Sequence, residues 1–207
     1  MALSCCSSQP QQTQLPFNDD FTRPDTNSGL GEGWDMRGPY VDKFPLPPAQ
    51  DGFLRDDAFT YAGNAVVYAT KEFDRPVHRM RAEGRWRSLR RPGAETTLAM
   101  AISANDKLVS DMIHFVANRS VWKLTVRRGA DFLPVAEGRF SPILKVGEKY
   151  AFEIEAEDRE VTVRVPGHVQ KTVVDVSSLI GPYVFWEEYP MKTPAGTVFD
   201  FDSVAAS

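Results

Sequence analysis

The side chains best suited to acid–base or metal chemistry are thinly spread along this sequence. The histidines, His78, His114 and His168, are too scattered for a zinc motif with ligand spacing. Strand alternation turns His114 away from Ile113 and Phe115, making it a polar-face histidine with no second catalytic member to name. Serine, histidine and aspartate occur, but in no nucleophile elbow. Glu153 and Glu155 share a strand face with Arg164 opposite, a pattern more common as a solvated charge face than as a working acid and base. Glu187 and Glu188 are adjacent, so they point to opposite faces and cannot act together. Gly29-Leu-Gly-Glu-Gly has neither the lysine of a phosphate loop nor a following helix. The expectation is a protein without catalytic residues.

Binding chemistry is better represented. Arg79, Arg81, Arg85 and Arg87 alternate onto one face of one strand, interrupted by Glu83. Like charges this close need carboxylates or a ligand opposite them, so Glu153, Glu155 or a partner is expected nearby. Because guanidinium forks bind carboxylate and phosphate, the series is a candidate partner-docking face as well as a candidate internal charge network. Trp86 and Trp122 align with apolar neighbours and belong to the core. Trp34 and Trp186 lie near strand ends or loops, where an exposed indole stacks on a sugar ring; with His114 they are the candidate carbohydrate-binding residues.

These residues must be held by strands. Period-two alternation recurs over Val77–Arg87, Thr96–Ile102, Asp111–Ala117, Val121–Arg127, Tyr150–Ala156 and Val161–Val165. Further strands are expected at Phe17–Phe21, Ala65–Thr70, Val173–Val176, Tyr183–Glu187 and Thr197–Val204, with a short helix near Ser177–Ile180. Pro45, Pro47 and Pro48 make the stretch between Pro39 and Phe59 a surface-running connection. Ten to thirteen short strands without a long helical run indicate an all-β, two-sheet antiparallel sandwich. At 207 residues the chain suits one domain, residues 17–207, preceded by a flexible Ser/Gln/Pro-rich arm, residues 1–16. A net charge of -4 gives no global pull toward nucleic acid, and no apolar run is long enough to insert in a membrane as a helix. Cys5 and Cys6 are adjacent and make no disulfide framework, and no basic and apolar leader precedes them, so no signal peptide is expected.

Three stretches carry a family resemblance: Asp19-Asp20-Phe21 with a glycine-rich loop ending in Trp34, the hairpin Asp111–Arg127 with its inward Trp122, and the closing Thr197–Val204. Together they resemble the concanavalin A-like lectin/glucanase jelly roll. The glucanases of that fold carry Glu-x-Asp-x-x-Glu on one strand, and this sequence contains no such pattern. The resemblance implies a seam where first and last strands pair, and many such sandwiches hold a structural calcium there; Asp20, Asp25, Asp200 and Asp202 are the candidate ligands, hard oxygen donors of the right kind, and no other cofactor is required. The opening Asp-Asp-Phe-Thr-Arg-Pro-Asp-Thr is similar to jelly-roll domains of structural proteins, minor tail proteins included, of phages that infect actinobacteria. That similarity implies a non-enzymatic virion protein, oligomeric in the assembly, anchored to other virion proteins by the arm and binding cell-surface glycan. The alternatives are a glycan-active enzyme of the same fold, a hydrolase or a lyase, and a free carbohydrate-binding module.

Overall fold

The computed structural model describes residues 13–27, 29–37, 52–61, 67–107, 110–190 and 195–207. Its fifteen named strands are β1 (Phe17–Asp19), β2 (Asp35–Arg37), β3 (Gly52–Leu54), β4 (Phe59–Tyr61), β5 (Val67–Glu72), β6 (Arg79–Ser88), β7 (Ala94–Ser103), β8 (Met112–Ala117), β9 (Val121–Arg128), β10 (Asp131–Arg139), β11 (Tyr150–Glu157), β12 (Glu160–Val165), β13 (His168–Val173), β14 (Tyr183–Pro190) and β15 (Ala195–Ala206). The all-β jelly-roll sandwich expected from alternation is the fold observed. Ser177–Leu179 forms a hydrogen-bonded turn where a short helix was expected. Cys5, Cys6, Pro45, Pro47 and Pro48 lie outside the described residues, as does most of the expected arm. Thr13, inside that arm's expected range, donates its N–H to Glu72 and accepts one from Asp74.

The first sheet runs β4-β15-β6-β11-β12-β13, with β3 on β4 and β1 also on β15. The second runs β2-β5-β14-β7-β8-β9-β10. A short parallel ladder, Ala195 with Ala94 and Thr197 with Glu95, joins the sheets at one corner. The main core lies between the layers. Each strand contributes alternate residues to it: Met80, Ala82 and Trp86 from β6, Phe152 and Ile154 from β11, Met100 from β7, Phe115 from β8 and Trp186 from β14. Trp86 meets the Phe199 ring edge-on at 4.7 Å and the Phe152 ring at 5.8 Å. As expected, the opening stretch closes the sandwich: Phe17, Asn18 and Asp19 pair with Ala206, Ala205 and Val204.

Four strands have no counterpart in the sequence expectation, β2, β3, β4 and β10, and β13 lies ahead of the expected Val173–Val176; β3 falls within the Pro39–Phe59 stretch expected to be a connection, and β10 and β13 are sheet edges. The ladder of β10 is irregular between Pro134 and Ala136, where proline is tolerated because an edge strand has one side without partners.

Candidate active site on the outer face of the second sheet

The faces of the second sheet follow from its registers. Residues turned away from the main core form a second apolar cluster of Tyr68, Ala101, Met112 and Phe185, with Tyr183 packed against it. Across the strands, Thr70, Phe185, Ala101, His114 and Thr125 make one row; Tyr68, Glu187, Ala99, Val116 and Lys123 make the next. Glu187 and His114 are thus two strands and one side-chain repeat apart, roughly 12 Å between Cα atoms. The positions between them on β7 are Ala99 and Ala101, both fully buried.

Both polar groups are held uncharged. Glu187 is 4% exposed and has no hydrogen-bond or ionic partner among the described residues; burial pushes its carboxyl well above the usual range. The His114 ring keeps some surface in reach of solvent, but its Nε2 is sealed and has no hydrogen-bond partner. Burial, with Arg127 adding repulsion, lowers the imidazole to about 4. Its ring centre lies 6.0 Å from that of Phe185. A buried polar group without a partner is costly, so two on one sheet face mark a place where a ligand would supply what the chain does not.

Glu188 is on the opposite face. Its Oε1 accepts the Phe199 N–H at 2.8 Å, its Oε2 is buried with no hydrogen-bond partner among the described residues, and burial raises this carboxyl also. Adjacent glutamates therefore do face opposite ways, as alternation requires. What alternation did not reveal is depth: Glu187 was set aside as half of an unusable pair, although it sits within Tyr-Val-Phe-Trp-Glu-Glu-Tyr, an apolar run where an acid is out of place.

The other candidate residues are placed differently. Trp186 is fully buried, its Nε1 donating to the Arg81 carbonyl at 3.3 Å, so it offers no face to a sugar. Trp34 is half-buried, donates to Asp19 at 2.7 Å, and lies between the Trp186 ring and the Lys71 ammonium, 4.6 Å from its ring centre. These two indoles are packing elements, and of the three candidate carbohydrate-binding residues His114 alone lies on an apposite face. The arginine series does share one outer face of the first sheet, but its partners are internal: Arg79 with Glu153, Arg81 with Glu83, Arg85 with Asp202 and Arg87 with Asp200. Arg164 joins Glu153 and Glu155 at 2.8 and 2.6 Å. The series builds a charge network across this face. The candidate calcium acids do not converge either. Asp20 accepts the Thr22 N–H and Asp25 that of Asp56, while Asp200 and Asp202 are taken by arginine and lysine. No group of three or more metal-ligating side chains occurs among the described residues.

No family model matches the sequence, and no curated protein matches it. The fold, by contrast, matches solved structures over nearly its whole length. It is similar to the Bacillus licheniformis β-glucanase, with a TM-score of 0.61 and 5% identity over 93% of this chain and 97% of that one. It is also similar to the catalytic domain of an endo-1,3-β-glucanase (laminarinase) from Thermotoga petrophila, TM-score 0.62, 12% identity, 93% and 96% covered. A third likeness is to a non-specific endo-β-1,3(4)-glucanase of family GH16, TM-score 0.63, 10% identity, 92% and 89% covered. These likenesses confirm the concanavalin A-like sandwich, and they correct the reading as a non-enzymatic virion structural protein: the similar structures are glycan-degrading enzymes, and nothing in them supports a virion context.

Proposed function

We propose that this protein is a glycan-active enzyme that cleaves a polysaccharide laid across the outer face of the second sheet, with Glu187 as proton donor and His114 as base. The observation that carries the reading is the pair of uncharged groups on one face, the buried Glu187 carboxyl and His114 Nε2, neither with a partner among the described residues, with alanines between them on β7. A raised carboxyl is protonated where ordinary glutamates are ionised, as a general acid must be. A neutral imidazole with a free ring nitrogen accepts a proton.

In the cleavage, the glycosidic C–O bond breaks, Glu187 passes its proton to the leaving oxygen, and a water adds to the anomeric carbon as its proton goes to His114. Two-carboxylate hydrolysis is the common route. It is not drawn here because the two carboxylates that the β2 and β5 registers put on this face are engaged, Asp35 by Arg37 and Glu72 by Tyr183. Since Glu187 is almost wholly buried, substrate entry requires this face to open.

The test is turnover of a panel of soluble polysaccharides by the wild type and by Glu187→Gln and His114→Ala, read as reducing ends released. Glu187→Gln is expected to lose at least about 100-fold in kcat, in line with the usual worth of general acid catalysis, while retaining substrate binding. Undiminished turnover in Glu187→Gln, or binding without turnover by the wild type across the panel, overturns the assignment. Release of an unsaturated sugar instead makes the reaction an elimination, with His114 abstracting a carbon-bound proton, and overturns the hydrolytic step.

A further inference from the structure

The flank of the sandwich where the edge strands β10 and β13 lie has features that the outer-face site does not use. A cleft of about 640 Å³ opens there, walled by Trp122, Tyr150, His168, Glu137, Arg139 and Lys145 among others. A second cleft of about 440 Å³ shares Tyr150 and Pro166 with it and reaches Arg81, Lys149 and Arg164. The two form one groove across Tyr150.

Four of the cations along it are ion-paired: Arg81 with Glu83, Lys145 with Glu148, Lys149 with Asp202, and Arg164 with Glu153 and Glu155. Arg139, exposed on the wall of the larger cleft, has no ion pair or side-chain hydrogen bond among the described residues.

The flank is also where the described residues leave apolar surface bare. The six large apolar side chains that are most exposed, Phe132, Leu133, Ile143, Val146, Val169 and Val173, lie on β10, β13 and the connection following β10. Of these six, Ile143 lines the larger cleft. The groove is also a built shape. The Tyr150 hydroxyl accepts the Lys145 N–H at 2.9 Å and donates to Glu148 at 2.8 Å, fixing the ring at the junction of the clefts. A Cβ on residue 138 would lie 2.5 Å from the Trp122 indole nitrogen, so Gly138 is what lets the indole form a flat wall.

We propose that this flank is a second binding groove for an anionic polysaccharide, separate from the cleavage site, with Arg139 contacting its acidic groups, Lys145 beside it, and Tyr150 and His168 contacting its ring faces. Aromatic and apolar surface fits the C–H faces of sugar rings, and a guanidinium without a partner among the described residues fits carboxylate or sulfate. The proposal rests on the reading above in taking a polysaccharide as ligand class, but not on any catalytic step.

Binding is measured on the full chain with three probes, polygalacturonate, dextran sulfate and uncharged dextran. Expected is binding of at least one anionic probe in preference to dextran, weakened by salt, and reduced tenfold or more in an Arg139→Glu/Lys145→Glu double variant and in His168→Ala. Polygalacturonate binding alone assigns carboxylate recognition, and dextran sulfate alone assigns sulfate. Both variants change exposed side chains, and matched thermal midpoints show that they fold. Glu187→Gln is expected to leave this binding intact. No anionic binding, equal binding of dextran, or loss in Glu187→Gln with retention in the double variant overturns the groove. Absence of turnover with the flank binding intact overturns the catalytic reading alone.

Discussion

At the residue scale, Asp19 organises the entry of the chain. Its carboxylate accepts the Phe21 N–H at 2.8 Å, both Arg23 guanidinium nitrogens at 2.7 and 2.9 Å, and the Trp34 indole N–H at 2.7 Å. Burial works against its charge, but the bonds from Arg23, the Phe21 N–H and Trp34 outweigh it and hold the carboxyl below its ordinary value. The bond to Phe21 matters because Phe21 is fully buried at φ 57°, a left-handed backbone that a bulky residue adopts only when its surroundings impose it. Asp19→Asn keeps the shape but removes the charge that Arg23 requires. We expect it to cost about 2–4 kcal/mol, since it leaves a half-buried guanidinium without its anion, measured by urea unfolding at neutral pH. The sequence singled out this aspartate only as part of a short opening motif. The motif's alternation located the strand, whereas the fourfold acceptor role depends on Trp34, fifteen positions on, which no local pattern reports.

At the element scale, the alternating central strands were legible and the edges were not. β6, β11 and β12 each bury one face against the core, so apolar and polar residues alternate along them, while β7, buried on both faces, alternates large with small residues. β10 and β13 are edge strands, β10 with Pro134 and a bulge within it, and exposure relaxes the requirement that makes strands readable. For the same reason, neither the flank groove nor the burial of Glu187 was foreseen: both depend on which strands end up neighbours and on what lies above them. Close approach of elements gives a direct test. A Cβ on Gly84 of β6 would sit 2.0 Å from the Asp200 carbonyl oxygen and 2.8 Å from the Phe199 ring, beside the irregularity in β15 between Phe201 and Ser203. Gly84→Ala therefore forces apart the longest shared ladder of the first sheet. Overpacking of this kind costs about 3 kcal/mol and, in a domain of this size, lowers the thermal midpoint by roughly 5–10 °C. Gly129→Ala, whose Cβ would meet nothing within 4 Å although its φ is 56°, gives a comparison with backbone strain but no crowding.

At the scale of the whole molecule, the buried titratable groups set the pH at which the sandwich is most stable. Glu187 and Glu188 are raised in the folded state, so between 4.5 and their folded values the folded protein holds protons that the unfolded chain has released, and stability falls as pH rises. His114 acts oppositely: with its folded value lowered from 6.5 to about 4, the unfolded chain binds the extra proton, and stability is lost as pH falls through that interval. Asp19, lowered from 3.8, withdraws its contribution as pH drops further. Each glutamate contributes a slope of roughly 1.4 kcal/mol per pH unit while it stays protonated in the fold, and the two act against one histidine. Lys71, lowered by burial from 10.5 to about 8, opposes them only at the alkaline end, where the unfolded chain holds the extra proton. Maximum stability is therefore expected on the acid side of neutrality. Unfolding midpoints followed across pH 3–9 check this, and Glu187→Gln, which supplies a neutral group of the same shape, should flatten the alkaline limb by one proton's slope and raise stability at neutral pH. A wild-type profile that rises toward neutrality, with Glu187→Gln no more stable than the parent there, would mean that this carboxyl is ionised in the fold. It would then be unable to donate a proton to a glycosidic oxygen, so the same titration bears on both the stability and the chemistry assigned to this face.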